Sequence, residues 1–296
     1  MIRCKQFLCA VSGAFLCASA LLSVGSQSVF AADGDNTAGL HLVSLAPALT
    51  ELVYAAGAGT QLVGTVEYSD YPAAALSVQR IGDAFRVDYE TLRRLEPDVI
   101  LAWGSGNPRA ILDKLVHLGY RVIEFEPETL DDIASHVQQI GEIAGTSDIA
   151  DQVAAEFREA LNHLQMTYAG KQTLSVFYQI SPQPYFTVTR AHVINEAIEL
   201  CGGDNVFAGL PGIAPAVALE SVVSRNPDVI IASTLARDGG WKEPWRRWSV
   251  VSAVKNDALY SIDANLMNRS TPRIAAGVEQ ICRALEAARA AKSALN

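Results

Sequence analysis

Two glutamates occupy equivalent places in a segment that occurs twice in the sequence. Residues 82–102 (GDAFRVDYETLRRLEPDVILA) align without a gap with residues 212–232 (GIAPAVALESVVSRNPDVIIA), at an offset of 130 residues and with nine identities in twenty-one positions. Glu90 and Glu220 each precede a proline by seven residues, at the start of a predicted helix. The helix dipole favours a carboxylate there, which is one sufficient reason for the glutamates. Two carboxylates at matching places on similar units can instead each bind an arginine of a symmetric partner.

Residues 1–31 predict a cleaved signal peptide for export. Arg3 and Lys5 form a short basic head, a continuous apolar run follows, and small residues precede a cleavage position after Ala31. A retained membrane anchor is the alternative interpretation. Residues 32–40 are predicted to form a polar linker.

Cleavage at that position leaves two of the five cysteines, Cys201 and Cys282. An even pair of cysteines in an exported protein predicts a disulfide. This bond would join the helix that ends in ELCGG to the last helix of the chain. Two buried free thiols are the alternative.

The composition limits the classes of function. The chain has 296 residues, half of them hydrophobic and 19% charged, which is typical of a soluble globular protein of about two domains. The net charge of −9 and the lack of a basic cluster with interleaved aromatics disfavour nucleic acid as a partner. The sequence has no Walker A lysine, no G-x-S-x-G motif and no G-x-G-x-x-G motif. An α/β enzyme is therefore a distant alternative.

The five histidines are the candidates for ligation of a metal ion or haem iron. They do not cluster with carboxylates at the spacing of a zinc or manganese site, so no metal site is predicted. His117, His136 and His163 fall on predicted helices and are expected on the surface. His192 follows a predicted turn and could reach a ligand cleft.

Strand-like and helical segments alternate along most of the chain, as in parallel sheets flanked by helices. The alternation is interrupted between residues 130 and 169, where two helices are predicted in succession and Ser147 or Asp148 is expected to cap the second. We therefore predict an α/β fold of two Rossmann-like lobes joined by a single long rigid helix, with a ligand cleft between the lobes. The predicted bounds are 41–146 for the N-terminal lobe, 147–170 for the bridging helix and 171–296 for the C-terminal lobe.

Segments throughout the chain resemble the periplasmic binding proteins of the cobalamin, haem and siderophore class of ABC importers, and within it the cobalamin-binding branch. The matching segments are VSLAPALTELVYAAGA, VEYSDYP, PDVILAW, PYFTV, ELCGGDNVF and STPRIAAGVEQIC. The resemblance implies a monomeric periplasmic protein that captures cobalamin or a related corrinoid, needs no cofactor, and delivers its ligand to a permease dimer with ATPase subunits. A haem- or ferric-siderophore-binding protein of the same fold is the alternative.

The resemblance also implies roles for individual residues. Glu90 and Glu220 would dock onto arginines of the permease. Ligand contacts would come from four aromatic residues and from a loop that carries an acid and an arginine: Tyr68, Phe85, Trp103 and Phe186, and the segment Asp263 to Arg269.

The sequence departs from the family pattern at one aromatic position. A tryptophan of the second lobe corresponds to Ala214 here. The nearby segment GGWKEPWRRW could restore aromatic surface through three tryptophans, Trp241, Trp245 and Trp248. The departure bears on the identity of the ligand more than on the fold.

Overall fold

The computed structural model describes residues 39–235 and 240–294. The predicted signal peptide and most of the predicted linker lie outside the described residues. No helix within the described ranges is both long enough and apolar enough to span a bilayer.

The first half of the described chain contains seven strands, five α-helices and two short 3-10 helices, Gly59–Gln61 and Ala73–Ser77. Its strands are β1 Leu42–Ser44, β2 Leu62–Thr65, β3 Gln79–Arg80, β4 Gly82–Asp83, β5 Arg86–Val87, β6 Val99–Trp103 and β7 Val122–Phe125. Its helices are α1 Pro47–Ala55, α2 Tyr89–Leu95, α3 Arg109–His117, α4 Leu130–Ala144 and α5 Ser147–Tyr168. Five of the strands form a parallel sheet in the order β3-β2-β1-β6-β7, while β4 and β5 form a separate hairpin.

The second half contains seven strands and six helices among its described residues. Its strands are β8 Leu174–Gln179, β9 Ser181–Pro182, β10 Tyr185–Phe186, β11 Gly203–Asn205, β12 Ala216–Val217, β13 Val229–Thr234 and β14 Leu259–Asp263. Its helices are α6 Val193–Leu200, α7 Leu219–Arg225, α8 Glu243–Arg246, α9 Ser252–Lys255, α10 Ala264–Met267 and α11 Ile274–Ala294. A parallel sheet has the order β11-β8-β13-β14, and a small antiparallel sheet has the order β12-β10-β9.

Continuous apolar runs explain the central strands. Val99 to Ala102 of β6 and Val229 to Ala232 of β13 are buried, as expected for strands covered by helices on both faces of a parallel sheet. The expected α/β class, with two parallel sheets, is confirmed.

The repeated segment folds in the same way in both halves. The elements β5, α2 and β6 begin 130 residues before β12, α7 and β13. Both helices end at a non-glycine residue in the left-handed region, Glu96 and Asn226, each with φ of 45°. The sequence repeat is therefore also a structural repeat.

Two consecutive helices, α4 and α5, lie between the two sheets along the chain. Both helices contact α1 of the first half and α6 of the second half. Helix α5 has 22 residues. The expected cap is wrong, because Thr146 precedes the first helical residue and its hydroxyl donates a hydrogen bond of 2.6 Å to the carbonyl of Ala56. Rigidity of the connection between the lobes stays a prediction.

The predicted disulfide is present and closes the second half. Cys201 at the end of α6 is bonded to Cys282 in α11, and both residues are fully buried. The buried guanidinium of Arg289 donates hydrogen bonds to the carbonyls of Cys201 and Gly202, at 2.8 and 3.1 Å, and to that of Gln172. A covalent bond and a buried cation thus fix the same helix end.

Candidate ligand-binding cleft

A cleft of about 500 Å³ lies between residues of the first and second halves. Its walls include the carboxyl ends of strands from both parallel sheets, where open α/β sheets place their ligands. Residues at or just beyond these ends are Ala46, Trp103, Phe125, Ile180, Ser233 and Ala264.

Tyr68 lies on the wall of the cleft and has an unusual backbone. Its φ is 65°, in the left-handed region that non-glycine residues seldom adopt, and its side chain is 79% exposed. The neighbouring Ser69 is fully buried, and its hydroxyl accepts hydrogen bonds from Thr50 and Thr65 at 3.1 and 2.8 Å. Burial of Ser69 therefore anchors the turn, while the phenol of Tyr68 is free to face a ligand.

Trp103 is the last residue of β6, and its side chain is 42% exposed on the cleft wall. Its backbone N–H donates a hydrogen bond of 2.7 Å to the buried amide of Asn107. Any side chain at Gly106 would collide with the indole ring. The ring is thus positioned by a buried amide and by close contact with a glycine.

Arg269 lies on the cleft wall, and its guanidinium forms ion pairs and a hydrogen bond with residues of the first half of the protein. One terminal nitrogen donates to the carboxylates of Glu51 and Asp70, both at 2.7 Å, and the other donates to the carbonyl of Tyr68 at 3.0 Å. Burial tends to raise the pKa of Asp70, but the hydrogen bond and charge of Arg269 outweigh it and lower that pKa. Arg269 therefore connects the two sides of the cleft.

The buried carboxylate of Glu51 is the centre of this connection. Glu51 is 3% exposed in α1, and it also accepts hydrogen bonds of 3.1 Å from Thr271 and Arg273. The guanidinium of Arg273 lies 3.8 Å from the centre of the Tyr71 ring. Four charged groups, the two carboxylates and the two arginines, thus compensate one another across the cleft.

Three of the six predicted ligand residues do not line the cleft. Phe85 lies in the turn of the β4–β5 hairpin and is 69% exposed, and Phe186 lies in β10. Asp263 caps α10, where its carboxylate accepts a hydrogen bond of 2.9 Å from the N–H of Asn265. The cleft brings together Tyr68, Trp103 and Arg269. Ligand contacts of Phe85, Phe186 and Asp263 stay predictions.

Two histidines line the cleft, one of which we expected elsewhere. His136 of α4 was predicted on the surface, but its ring is half-buried and packs edge-on against Phe125, with centroids 5.1 Å apart. Burial lowers the pKa of His136 despite the opposing charges of Asp132 and Glu126. The sequence did contain a sign of this partial burial, because His136 directly precedes Val137, which belongs to the buried apolar face of α4.

The expectation of restored aromatic surface is wrong for Trp245. Its side chain is fully buried in a core cluster of the second half, and its indole N–H donates a hydrogen bond of 2.9 Å to Gln179. Trp241 and Trp248 pack against the same cluster and do not line the cleft. Their apolar surface is used for folding.

Glu90 and Glu220 lie outside the cleft, in the first turns of α2 and α7. Both residues are exposed. Their side chains are therefore accessible to a protein partner.

No group of three or more His, Cys, Asp or Glu side chains in residues 39–235 and 240–294 could hold a metal ion.

Known proteins resemble this chain over most of its length. Residues 42–266 match the model of the family described as periplasmic binding protein. The Vitamin B12-binding protein of Vibrio cholerae is 38% identical over 249 residues, which are 84% of this chain and 90% of that protein. The crystal structure of the periplasmic vitamin B12 binding protein BtuF of Vibrio cholerae has a TM-score of 0.78 and 37% identity, covering 84% of this chain and 97% of that one.

A haem-binding relative shares the fold at lower identity. The periplasmic heme binding protein HutB of Vibrio cholerae has a TM-score of 0.71 and 22% identity, over 83% of this chain and 98% of that one. These matches confirm the predicted two-lobe fold and the interpretation as a binding protein of a transport system rather than an enzyme. The chain belongs to the periplasmic binding protein family.

Proposed function

We propose that this protein captures cobalamin or a related corrinoid in the periplasm for delivery to an ABC importer. The observation that carries the proposal is a cleft between the two halves with Tyr68 and Trp103 on its wall, in a chain 38% identical to a Vitamin B12-binding protein. A corrinoid is a large flat macrocycle, and aromatic side chains supply the contact area that such a ligand needs.

The charges of the cleft favour a corrinoid over haem. Corrinoid side chains end in neutral amides, whereas haem carries two propionates that bind best to cations. Arg269 is the one lysine or arginine among the described lining residues, and two carboxylates already compensate it. Neutral hydrogen-bonding groups are more numerous: Ser105, Ser233, Asn265, Asn268 and Ser270.

Haem or a ferric siderophore is the second candidate ligand, and His136 supports it. Its imidazole lines the cleft with a lowered pKa, so the ring is neutral and able to ligate iron. The phenol of Tyr68 also lies in the cleft, and a phenol is a group that can ligate iron. The same fold in haem-binding proteins is compatible with this alternative.

Delivery requires a membrane partner, which we propose to be a permease dimer with ATPase subunits. Exposed carboxylates at equivalent places of the two halves, Glu90 and Glu220, would each bind an arginine of the dimer. A monomer with one docking residue per lobe suits a partner with two-fold symmetry. The transported ligand takes the place of a cofactor.

The proposed function also requires that the protein be exported to the periplasm. Residues 1–31 would direct the chain to the periplasm and be removed, leaving a mature protein that begins at Ala32. The disulfide between Cys201 and Cys282 agrees with an oxidising compartment. Residues 41–146 and 171–296 would act as the two lobes, with 147–170 as the bridge.

Titration of the purified mature protein tests the ligand. We expect saturable one-to-one binding of cyanocobalamin by calorimetry, and no tight binding of haem in a parallel titration. Haem binding with a shifted Soret band and no cobalamin binding would overturn the corrinoid assignment and establish the second candidate.

A further inference from the structure

His192 has its ring orientation fixed by the start of helix α6. The Nδ1 atom accepts a hydrogen bond of 3.1 Å from the backbone N–H of Ile194, so His192 is the N-cap of the helix. Its own backbone donates to the carbonyl of Thr189 at 3.1 Å, and its carbonyl accepts from Asn195 at 2.8 Å. Backbone and ring are therefore both held in place.

This hydrogen bond also determines which ring nitrogen carries the proton. A backbone N–H can only donate, so Nδ1 must offer its lone pair, and the proton of the neutral ring is on Nε2. Burial lowers the pKa of His192 to about 4, which keeps the ring neutral near pH 7. The cleft is lined by His192, and its Nε2 makes no hydrogen bond to any residue in the described part of the chain.

We propose that His192 is a specificity-determining residue that donates a hydrogen bond from Nε2 to an amide carbonyl oxygen of the bound corrinoid. This inference rests on the proposed function and names the chemistry by which the cleft recognises its ligand. A neutral donor matches a neutral amide and offers no positive charge to a carboxylate. Because Nε2 carries the proton, His192 ligates neither cobalt nor iron while it caps α6.

His136 shows why lining the cleft is not sufficient for this role. Its ring packs against Phe125, and no other described residue forms a hydrogen bond with either of its ring nitrogens. Either tautomer of His136 is therefore available. Only His192 combines a position in the cleft with a tautomer that the backbone determines.

Two substitutions separate the cap from the donor. In His192→Asn, the amide oxygen takes the place of Nδ1 and keeps the cap, but the side chain is too short to present a donor where Nε2 was. In His192→Gln, the amide nitrogen reaches the position of Nε2, while the cap is weakened. His163→Asn, on the exposed face of α5, is the matched control for loss of a histidine.

We expect His192→Asn to bind cyanocobalamin about tenfold more weakly than the wild type, with an unchanged melting temperature. His192→Gln should melt at a lower temperature and bind within about threefold of the wild type. His163→Asn should match the wild type in both measurements. Equal affinity of His192→Asn and wild type, or equal weakening by Asn and Gln, would overturn the role of the donor.

A spectroscopic measurement separates donation from ligation. Hydroxocobalamin offers an exchangeable axial position, so ligation by His192 would shift its visible absorption on binding to the wild type and not to His192→Asn. We expect identical spectra for the two proteins, and a shift that depends on His192 would refute the assignment. If the wild type binds no corrinoid at all, the proposed function itself fails. If it binds and the variants do not differ, only the inference fails.

Discussion

The first half of the molecule, from β1 to β7, and the second half, from β8 to β14, build their central sheets from the same strand order. The order β2-β1-β6-β7 in one corresponds to β11-β8-β13-β14 in the other. Asp98 and Asp228 precede equivalent strands, and their carboxylates accept backbone N–H groups of His41 and Ser175, at 2.7 and 3.1 Å. The repeated aspartate thus fixes the neighbouring strand in both halves.

The cleft surfaces of the halves differ in chemistry. The first half provides the exposed aromatics Tyr68 and Trp103, whereas the second half provides Arg269. Outside the lining residues, the buried carboxylate of Glu51 in the first half pairs with Arg269 and Arg273 of the second half. The tryptophans of the second half pack in or against its core. The disulfide of the second half has no counterpart among the described residues of the first half. Residues that build the sheet are repeated, and residues that line the cleft or contact the opposite half are not.

Substitution of the repeated glutamates is expected to have the largest effect of all, on uptake of the ligand by cells. We predict that the double charge reversal Glu90→Lys and Glu220→Lys abolishes uptake of cobalamin by cells, because each lysine would repel an arginine of the permease. Binding of cobalamin in solution should be unchanged, since neither residue lines the cleft. The measurement is uptake of labelled cobalamin beside calorimetric titration.

Single substitutions test whether Glu90 and Glu220 contribute equally to docking. If the glutamates are equivalent docking residues, Glu90→Lys and Glu220→Lys alone should each reduce uptake to a similar degree. The exposed Glu67 provides a control, and Glu67→Lys should leave uptake intact. Normal uptake by the double variant would contradict docking and leave the helix dipole as the reason for both glutamates.

The disulfide distinguishes the second half, and its removal should have the next largest effect. It closes a loop with a sequence separation of 81 residues, for which loop entropy alone predicts about 4.5 kcal/mol of stabilisation. Arg289 still holds the end of α6 when the bond is absent, so we expect a smaller loss of about 3 kcal/mol for Cys201→Ala with Cys282→Ala. Urea unfolding of the double variant measures the loss, and a stability equal to that of wild type would contradict it.

Substitution of Glu51 tests how much the ion pairs between the two halves contribute to stability. Glu51→Gln removes the carboxylate that Arg269 and Arg273 share, and Asp70 alone remains to compensate them. Removing one partner of a buried ion pair costs about 3 to 5 kcal/mol. Because the two arginines keep some access to solvent, we expect a loss of about 2 kcal/mol in the free energy of unfolding.

The control for Glu51→Gln is Glu67→Gln, an exposed glutamate of the same half, which should change stability by less than about 0.5 kcal/mol. A double-mutant cycle with Arg273→Met would isolate the pair from other effects. A coupling near zero would show that the charges of the two halves act independently.

The sequence predicted the repeated elements well because their signals are local. In β6 and β13 a proline precedes a continuous apolar run, and both strands lie where that pattern places them. The antiparallel pairs of β4 with β5 and of β10 with β12 were missed. Each of these strands has two residues, which is too short for an alternation of polar and apolar residues to appear.

Contacts between distant segments were the other limit of the prediction. Arg269 was predicted to contact the ligand, but its hydrogen-bond partner Glu51 is 218 residues away in the sequence. A glutamate in a helix gives no local sign of burial. The sequence around Trp245 likewise gives no local sign that this side chain is buried in the core. Positions that depend on how the halves meet require the tertiary structure.

The smallest predicted effects concern the two left-handed residues that end α2 and α7, and they have opposite signs. Glu96 and Asn226 share a φ of 45°, where a side chain costs about 1 to 2 kcal/mol relative to glycine. Glycine also loses more chain entropy on folding, by about 0.5 to 1 kcal/mol. Glu96→Gly should therefore stabilise the protein by about 0.5 kcal/mol, measured as a higher midpoint of urea unfolding.

Asn226→Gly should instead destabilise it by about 0.5 kcal/mol, for two reasons. Asparagine tolerates the left-handed region better than glutamate does, so glycine relieves less strain there. The side chain of Asn226 also accepts a hydrogen bond of 2.7 Å from the N–H of Ser252, which glycine cannot replace. Equal effects of the two substitutions would show that backbone conformation alone determines the change in stability at both helix ends. Opposite effects would show that equivalent positions of the repeat have acquired different side-chain roles.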